Sequence, residues 1–425
     1  MFQTIIGTIS SFMYSKLLVI LLIGAGVYFT IRTRFPQVRL FKNACGSVME
    51  KPEDKGAISS FQALMVSTAS RVGTGNIVGV SSAICIGGFG SVFWMWVIAI
   101  IGSASALIES TLAQIYKKKG KDGSCYGGPA YYIEAALHCR PLAIVFCVAM
   151  ILTYAFGFNM LASYNLQSTF SVFSFYDAKM SPWIIGGILA VLTGWCLLGG
   201  GSRIVKVTSM VVPVMGIAYI GISLLVVIIN IQNVPAMFVR IFEEAFDFKA
   251  IFGAFSGSAM MQGIRRGLYS NEAGIGSAPN ASASANVSHP VKQGLIQALS
   301  VFTDTIVICS CTAFIILLSD LPLDGTLKGI QLTQAAVGHE IGPFGAQFIA
   351  FCILLFAFSS IVGNYSYCET NLFFISRHPA GLQIYRIAVG GMVFFGSVAG
   401  LDIVWNLADL FMALMTLINL IALIF

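Results

Sequence analysis

Ser67-Thr-Ala-Ser-Arg-Val-Gly-Thr-Gly-Asn-Ile-Val-Gly79 is the stretch on which the reading of this chain turns. It lies inside Ser60–Ile84, an apolar segment of a length that crosses a bilayer as a helix, for which about 20 residues suffice. A spanning helix satisfies its own backbone N–H and C=O groups. Two glycines, a threonine and an asparagine at mid-segment predict a break instead. The start of the second half-helix then presents N–H groups suited to a carboxylate, and the end of the first presents carbonyls suited to a small cation. The run is not a dinucleotide fingerprint. After Gly73-x-Gly75 the third glycine belongs where Val78 stands, and no strand precedes it.

The composition around this segment is that of an integral membrane protein. Of 425 residues, 57% are hydrophobic and 10% charged, against about 25% charged in soluble domains. Eleven apolar segments are long enough to span: Phe12–Ile31, Ser60–Ile84, Ser91–Tyr116, Leu142–Tyr164, Pro182–Leu198, Val207–Ile229, Ala250–Tyr269, Val291–Leu318, Pro343–Ile361, Leu382–Ala399 and Val404–Ile424. The net charge of +6 comes from basic residues in the short loops between them. Such residues set topology rather than bind nucleic acid. With the N-terminus outside, the outer side receives Lys16, Lys179, Arg240, Lys249 and Lys328; nearly all the other lysines and arginines, Arg265 and Arg266 included, fall inside. The chain therefore reads as N-terminus out, C-terminus cytoplasmic.

The first segment stands apart, an extra N-terminal helix and cytoplasmic linker over 1–58. The other ten divide into a five-helix repeat over 59–230 and a second over 231–425. An odd number of spans per repeat inverts the second in the membrane, the arrangement of many secondary transporters. The first helix of the second repeat reads Gly253-Ala-Phe-Ser-Gly-Ser-Ala-Met-Met-Gln-Gly263. A matching break is expected there, at Ser256, Gly257 and Ser258. Two breaks in corresponding positions predict one shared site at the membrane midplane. Glycines that only permit close helix packing are the other reading, and it suits Gly87, Gly88, Gly186 and Gly187.

Other chemistries find little support. The ten cysteines form no CxxC pair, so they read as small buried hydrophobes. The four histidines (His138, His289, His339 and His378) fall in expected loops, away from any candidate nucleophile. No charged n-region with a small-residue cleavage site opens the chain. An enzyme reading lacks a nucleophile beside a base. A channel reading lacks a repeated filter.

Several longer stretches carry a family resemblance. Ser70-Arg-Val-Gly-Thr-Gly-Asn-Ile-Val-Gly-Val80, Gly87-Gly-x-Gly-x-Val-Phe-Trp-Met-Trp96, Tyr126-Gly-Gly-Pro-Ala-Tyr-Tyr-Ile-Glu134, Arg266-Gly-Leu-Tyr-Ser-Asn-Glu-Ala-Gly-Ile-Gly-Ser-Ala-Pro279, His289-Pro-Val-Lys-Gln-Gly-Leu295 and Asp304-Thr305 resemble the alanine/glycine:cation symporter family, the sodium:alanine symporters. The resemblance runs from the second span to the eighth. It implies an all-α, LeuT-type five-plus-five inverted repeat with one extra N-terminal helix. It also implies sodium-coupled import of small neutral amino acids across a bacterial or archaeal cell membrane. The partners it implies are the amino acid, sodium and membrane lipid; the sequence leaves the oligomeric state open, with a monomer the simplest expectation.

By the same resemblance, sodium would be held by the carbonyls of Ala69 and Val72 and by Phe356, Ser359 and Ser360. The hydroxyls of Ser359 and Ser360 have a competing use, bonding back to their own helix. Amides at Thr74, Gly75 and Asn76 would hold the substrate carboxylate, and carbonyls at Ser256, Gly257 and Ser258 its ammonium. Asn159, Asn165 and Asn364 are candidates for a side-chain contact or for interhelical hydrogen bonds. Many relatives carry tryptophan where this chain has Asn364. The smaller, polar residue widens the choice from alanine and glycine to glutamine. Arg71, Glu109, Asp304 and Glu369 are ionisable residues at depth, functional candidates by default. Arg71 is expected to pair with Glu272 or Glu369, as an inner gate or a structural ion pair. Glu109 is expected to partner Lys117–Lys119, and Arg265-Arg266 to anchor the inner end of the second broken helix beside Asn271-Glu272.

Overall fold

The computed structural model describes residues 12–425 except 53, 55–56, 121–123, 248–257, 324 and 400. A π-helical turn, Met13–Leu18, leads into α1 (Val19–Arg32). A left-handed turn at Arg34 and Phe35 precedes Pro36, and the chain continues as an arm of α2 (Pro36–Arg39) and α3 (Phe41–Val48). The end of the arm is tied to the body by Lys292 Nζ, 2.8 Å from a Glu50 carboxylate oxygen. That ammonium holds the Glu50 carboxyl below its ordinary value. The tie is therefore present at neutral pH and is lost as pH falls through the lowered value.

α4 (Ser60–Arg71) opens on a capping box, with Gln62 N donating to Ser59 Oγ at 3.2 Å and Ser59 N to Gln62 Oε1 at 3.0 Å. It stops at Val72, whose backbone is extended. α5 (Gly75–Gly87) resumes the helix, so the break falls where the glycines predict it. α6 (Gly90–Ile115) is followed by a two-stranded hairpin, β1 (Lys118–Lys119) and β2 (Cys125–Tyr126), then α7 (Pro129–Leu137). α8 (Arg140–Val172), α9 (Ser181–Leu198) and α10 (Gly200–Ile229) complete the first half. The second half holds α11 (Val234–Ala245), α12 (Ala259–Asn271), α13 (Ala278–Ser284), α14 (Pro290–Leu318), α15 (Ile330–Ile341), α16 (Phe344–Ile375), α17 (Pro379–Gly396) and α18 (Leu401–Ile424). Among the described residues, α6, α8, α9, α10, α14 and α16 are each long and apolar enough to cross a membrane. The other expected segments correspond to the short helix α1, to the interrupted pairs α4 with α5 and α12 with α13, and to the continuous helices α17 and α18.

The described residues show a second break after the small-residue run rather than within it. Ser256 and Gly257 lie outside the described residues, and Ser258 caps α12, accepting from Met261 N at 3.3 Å. This N-terminus sits beside the end of α5: a Cβ on Gly87 would come 3.1 Å from Ala259 Cα. It is therefore roughly 18 Å from Gly75 along α5. The small residues here serve packing. A Cβ on Gly263 would overlap the Ser91 carbonyl oxygen, and one on Gly267 would lie 3.3 Å from Met95 Cα. The break comes one helix later, at Glu272–Ser277, where Glu272 (φ 51°), Gly274 (φ 82°) and Gly276 (φ 89°) take left-handed backbone. Gly274-x-Gly276 is thus the counterpart of Gly73-x-Gly75. α12 runs antiparallel against α5, and α13 packs on α4, so the halves of the two broken helices pair in inverted order. Arg265 and Arg266 ride on α12, with Arg266 over the Trp405 ring at 4.9 Å. Both lie in the middle of α12, about two turns before Glu272.

Candidate functional site

The first break faces a small buried cavity of about 30 Å³, closed by the end of α12 and by α8 and α16. That is room for only one or two waters. Gly73, Thr74 and Gly75 form one wall, Phe158 and Tyr269 another, and Ser70, Ser360 and Asn364 a third. Glycine is required twice. A Cβ on Gly75 would lie 2.9 Å from the Tyr269 ring, and one on Gly73 would overlap the Ser360 hydroxyl. Tyr269 is itself held between Phe158 and Trp405, at ring-centre distances of 5.2 and 5.1 Å. Ser70 donates to Asn364 Oδ1 at 2.6 Å, and Asn364 Nδ2 donates to Asn159 Oδ1 at 2.9 Å. Asn165 donates to the Thr74 hydroxyl at 3.0 Å.

The charges around this cavity are unevenly satisfied. Glu109 accepts from the amides of Gly274 and Gly276 at 3.3 and 3.0 Å and from Asn419 at 3.1 Å, so its carboxylate clamps the second break. Asp304 accepts from Asn76 at 2.7 Å, Ser270 at 2.8 Å and Thr305 at 2.9 Å. Glu272 accepts from Ser277 at 2.8 Å. All three are buried, hydrogen-bonded by neutral donors, and close enough to Arg71 to interact with its charge. Arg71 lines the same cavity at 3% exposure, and none of its guanidinium nitrogens has a hydrogen-bond acceptor among the described residues. A buried guanidinium whose N–H groups have no acceptor is costly even with carboxylates nearby. The amides of Thr74 and Gly75 likewise lack an acceptor among the described residues. Guanidinium and amides converge on one wall, which is the arrangement that receives a carboxylate.

The model of the sodium:alanine symporter family matches residues 1–425. The chain belongs to that family. It is 49% identical over 421 residues to the amino-acid carrier protein AlsT of Bacillus subtilis, covering 99% of this chain and 89% of that protein. It is 46% identical over 422 residues to the probable sodium/glutamine symporter GlnT of the same organism, covering 99% and 87%. It is 37% identical over 434 residues to the sodium/alanine symporter AgcS of Methanococcus maripaludis, covering 100% and 94%. Among solved structures, MhsT in complex with L-phenylalanine superposes with a TM-score of 0.61 at 14% identity, over 88% of this chain and 89% of that one. At that identity the likeness speaks for the fold alone, and the fold is LeuT-type. The chain is a sodium-coupled amino-acid symporter, a multi-pass membrane protein and not an enzyme.

In this symporter, Arg71, Thr74, Gly75, Glu272, Ser360 and Asn364 of the sequence-predicted residues line the cavity. Asn159 and Asn165 stand one layer behind, through their bonds to Asn364 and Thr74. Asn76 turns away: its Oδ1 accepts from Gly73 N at 2.8 Å and its amide donates to Asp304 and Ser270. It shapes the break from behind. The Ser359 hydroxyl donates to the Phe356 carbonyl at 3.1 Å, the use within its own helix that competes with the cation reading. The Ser360 hydroxyl is buried against Gly73 and without a hydrogen-bond partner among the described residues. Glu369 bonds Tyr365 at 2.8 Å and lies 3.9 Å from Arg386, so it is not the partner of Arg71. Neither Glu369 nor Glu272 comes within 4 Å of the Arg71 guanidinium among the described ion pairs. Glu109 faces the second break rather than the lysine run, because α6 passes directly behind Gly274. Sequence reasoning missed Phe158, Tyr269 and Ser270. Two π-helical turns, Leu152–Phe158 and Phe302–Cys309, bear on this site and place Phe158 and Asp304; such turns have no simple sequence signal.

Proposed function

We propose that this symporter imports a small neutral amino acid, with glutamine the favoured substrate over alanine and glycine, by alternating access. The observation that carries the reading is the Arg71 guanidinium, without a hydrogen-bond acceptor among the described residues, beside the free amides of Thr74 and Gly75. Together they receive the substrate α-carboxylate, and Glu272 across the cavity receives the ammonium. Asn364 keeps one N–H and one acceptor lone pair after its bonds to Ser70 and Asn159. That pair complements a carboxamide, and the name of the relative GlnT supports the choice. Sodium sits at the carbonyls of Ala69 and Val72 with Phe356, Ser359 and the unspent Ser360 hydroxyl. Arg71 couples the two ligands. Its charge opposes a cation in the empty site, and the substrate carboxylate cancels that charge. Each ligand then raises the affinity of the other by the same factor. The cavity holds no amino acid at its present size, so the repeats, 59–230 and 231–425, separate on one side and then on the other. The distribution of basic residues supports N-terminus out and C-terminus cytoplasmic.

The test is uptake of labelled glutamine, alanine and glycine into liposomes, with and without an inward sodium gradient. Glutamine should give the largest sodium-dependent signal. Asn364→Ala should cost glutamine about 10-fold in kcat/KM, the worth of one or two hydrogen bonds, and alanine little. Equal losses for glutamine and alanine would assign Asn364 to packing and return the choice to alanine.

A further inference from the structure

A second cavity among the described residues is larger and more apolar than the transport site. It lies between the α2–α3 arm and helices α6 and α14, with a volume of about 460 Å³ and an almost wholly apolar lining that includes Leu40, Ala44, Ile100, Ala298, Leu299 and Phe302. It is large enough for a lipid chain and has no polar cluster to fix an amino acid. The arm that roofs it is strongly basic. Arg32, Arg34, Arg39 and Lys42 are all exposed, and no aspartate or glutamate occurs between residues 12 and 49. None of the four is in an ion pair among the described residues. Arg39 and Lys42 alternate with the lining residues Val38, Leu40 and Phe41. Charge and apolar surface therefore lie on adjoining faces of one short element. Gln37 adds a polar atom at this lining. Its amide nitrogen donates to Thr30 Oγ1 at 3.2 Å and to the Ile100 carbonyl at 3.3 Å. Its Oε1 is buried and without a hydrogen-bond partner among the described residues.

From this placement we propose that the pocket binds an anionic phospholipid. One acyl chain seats between the arm and α6–α14. The headgroup phosphate is held by the exposed Arg39 and Lys42. Clustered lysines and arginines beside an apolar membrane surface select anionic lipid over neutral lipid. The site also bears on transport, because α6 carries Glu109 and α14 carries Asp304, the carboxylates that brace the two breaks.

The test uses the full chain in phosphatidylcholine vesicles doped with a photoreactive lipid. The lipid is phosphatidylglycerol or phosphatidylcholine carrying a diazirine in one acyl chain, and labelled peptides are mapped by mass spectrometry. Phosphatidylglycerol should label the arm and the 295–302 stretch more strongly than phosphatidylcholine, by at least about fivefold, the effect of one basic residue near an anionic surface. Ala298→Trp, which fills the pocket, should remove that label. The exposed pair Arg39→Gln and Lys42→Gln, which leaves the packed core untouched, should bring the phosphatidylglycerol label down to the phosphatidylcholine level. Equal labelling by the two lipids, label spread evenly over α9 and α10, or full labelling of the glutamine double variant would each overturn the proposal.

Discussion

Arg71→Gln is expected to weaken substrate binding by at least about 30-fold, because truncating one partner of a buried charge pair costs about 2–5 kcal/mol. The loss should fall on KM for every amino acid tested, since the α-carboxylate is common to all. Sodium should respond in the opposite sense. With the opposing guanidinium gone, sodium binding without substrate should tighten, and its dependence on substrate should shrink. Arg71→Lys keeps the charge and loses the planar two-donor fork. It should retain the sodium–substrate coupling and recover only part of the affinity. Sodium-dependent protection of a single cysteine label, measured with and without glutamine, separates the two ligands. A guanidinium that served only the fold would behave otherwise: Arg71→Gln would lower the melting temperature and leave both KM and the sodium response in place.

The second large effect is expected at Gly73. An alanine there places its methyl group on the Ser360 hydroxyl, which must turn away from the break to make room. Gly73 belongs to a break already shaped by Asn76, and Ser360 is in the middle of α16. Overpacking of this kind costs about 1–3 kcal/mol, and here it opens the contact that brings Val72 toward Ser360. Gly73→Ala should raise the sodium concentration for half-maximal uptake by about 10-fold or more, consistent with that cost, and depress uptake at physiological sodium. Ser360→Ala should also raise it, by removing an oxygen. Adding Ser360→Ala to Gly73→Ala should relieve the overlap and restore thermal stability without restoring sodium affinity. If the double variant regained both, Ser360 would be a packing residue and not a cation ligand. Gly363→Ala is a control of a different kind. Its methyl group would stand 2.6 Å from the Ser70 backbone nitrogen, so no side-chain truncation should rescue it.

Both predictions rest on residues that the sequence makes legible. Gly73-Thr74-Gly75 announces its break because two glycines and a threonine at mid-span leave backbone groups that lipid cannot satisfy. Ser360 and Asn364 stand out as polar positions in an apolar helix. The second break is harder to place because Gly253–Gly263 and Gly274-x-Gly276 carry the same kind of signal. Small residues serve equally for close helix packing and for left-handed backbone, and only the partner helix distinguishes the two. α6 passing along Gly263 and Gly267 makes those two glycines packing positions. Glu109 reaching the amides of Gly274 and Gly276 makes the second run a break. Asn76 misleads for a related reason. Its position in the motif places it at the site, but its rotamer, set by Asp304 and Ser270, points its amide behind the wall.

By itself the sequence determined that this chain lives in a membrane, that its helices repeat in two inverted sets, that one helix breaks at Gly73–Gly75, and which family it belongs to. The family follows from the resemblance of its motifs, and the other properties from composition, segment length and local backbone chemistry, all of which act along the chain. Only the tertiary structure decided that the Arg71 guanidinium finds no hydrogen-bond acceptor among the described residues, that Glu369 belongs to Arg386, that Tyr269 and Phe158 close the cavity, and that a left-handed break lies at Glu272–Ser277. Each of these depends on which side chains meet between one helix and another. That pairing is set by the packing of helices against one another, and no spacing within a single helix encodes it.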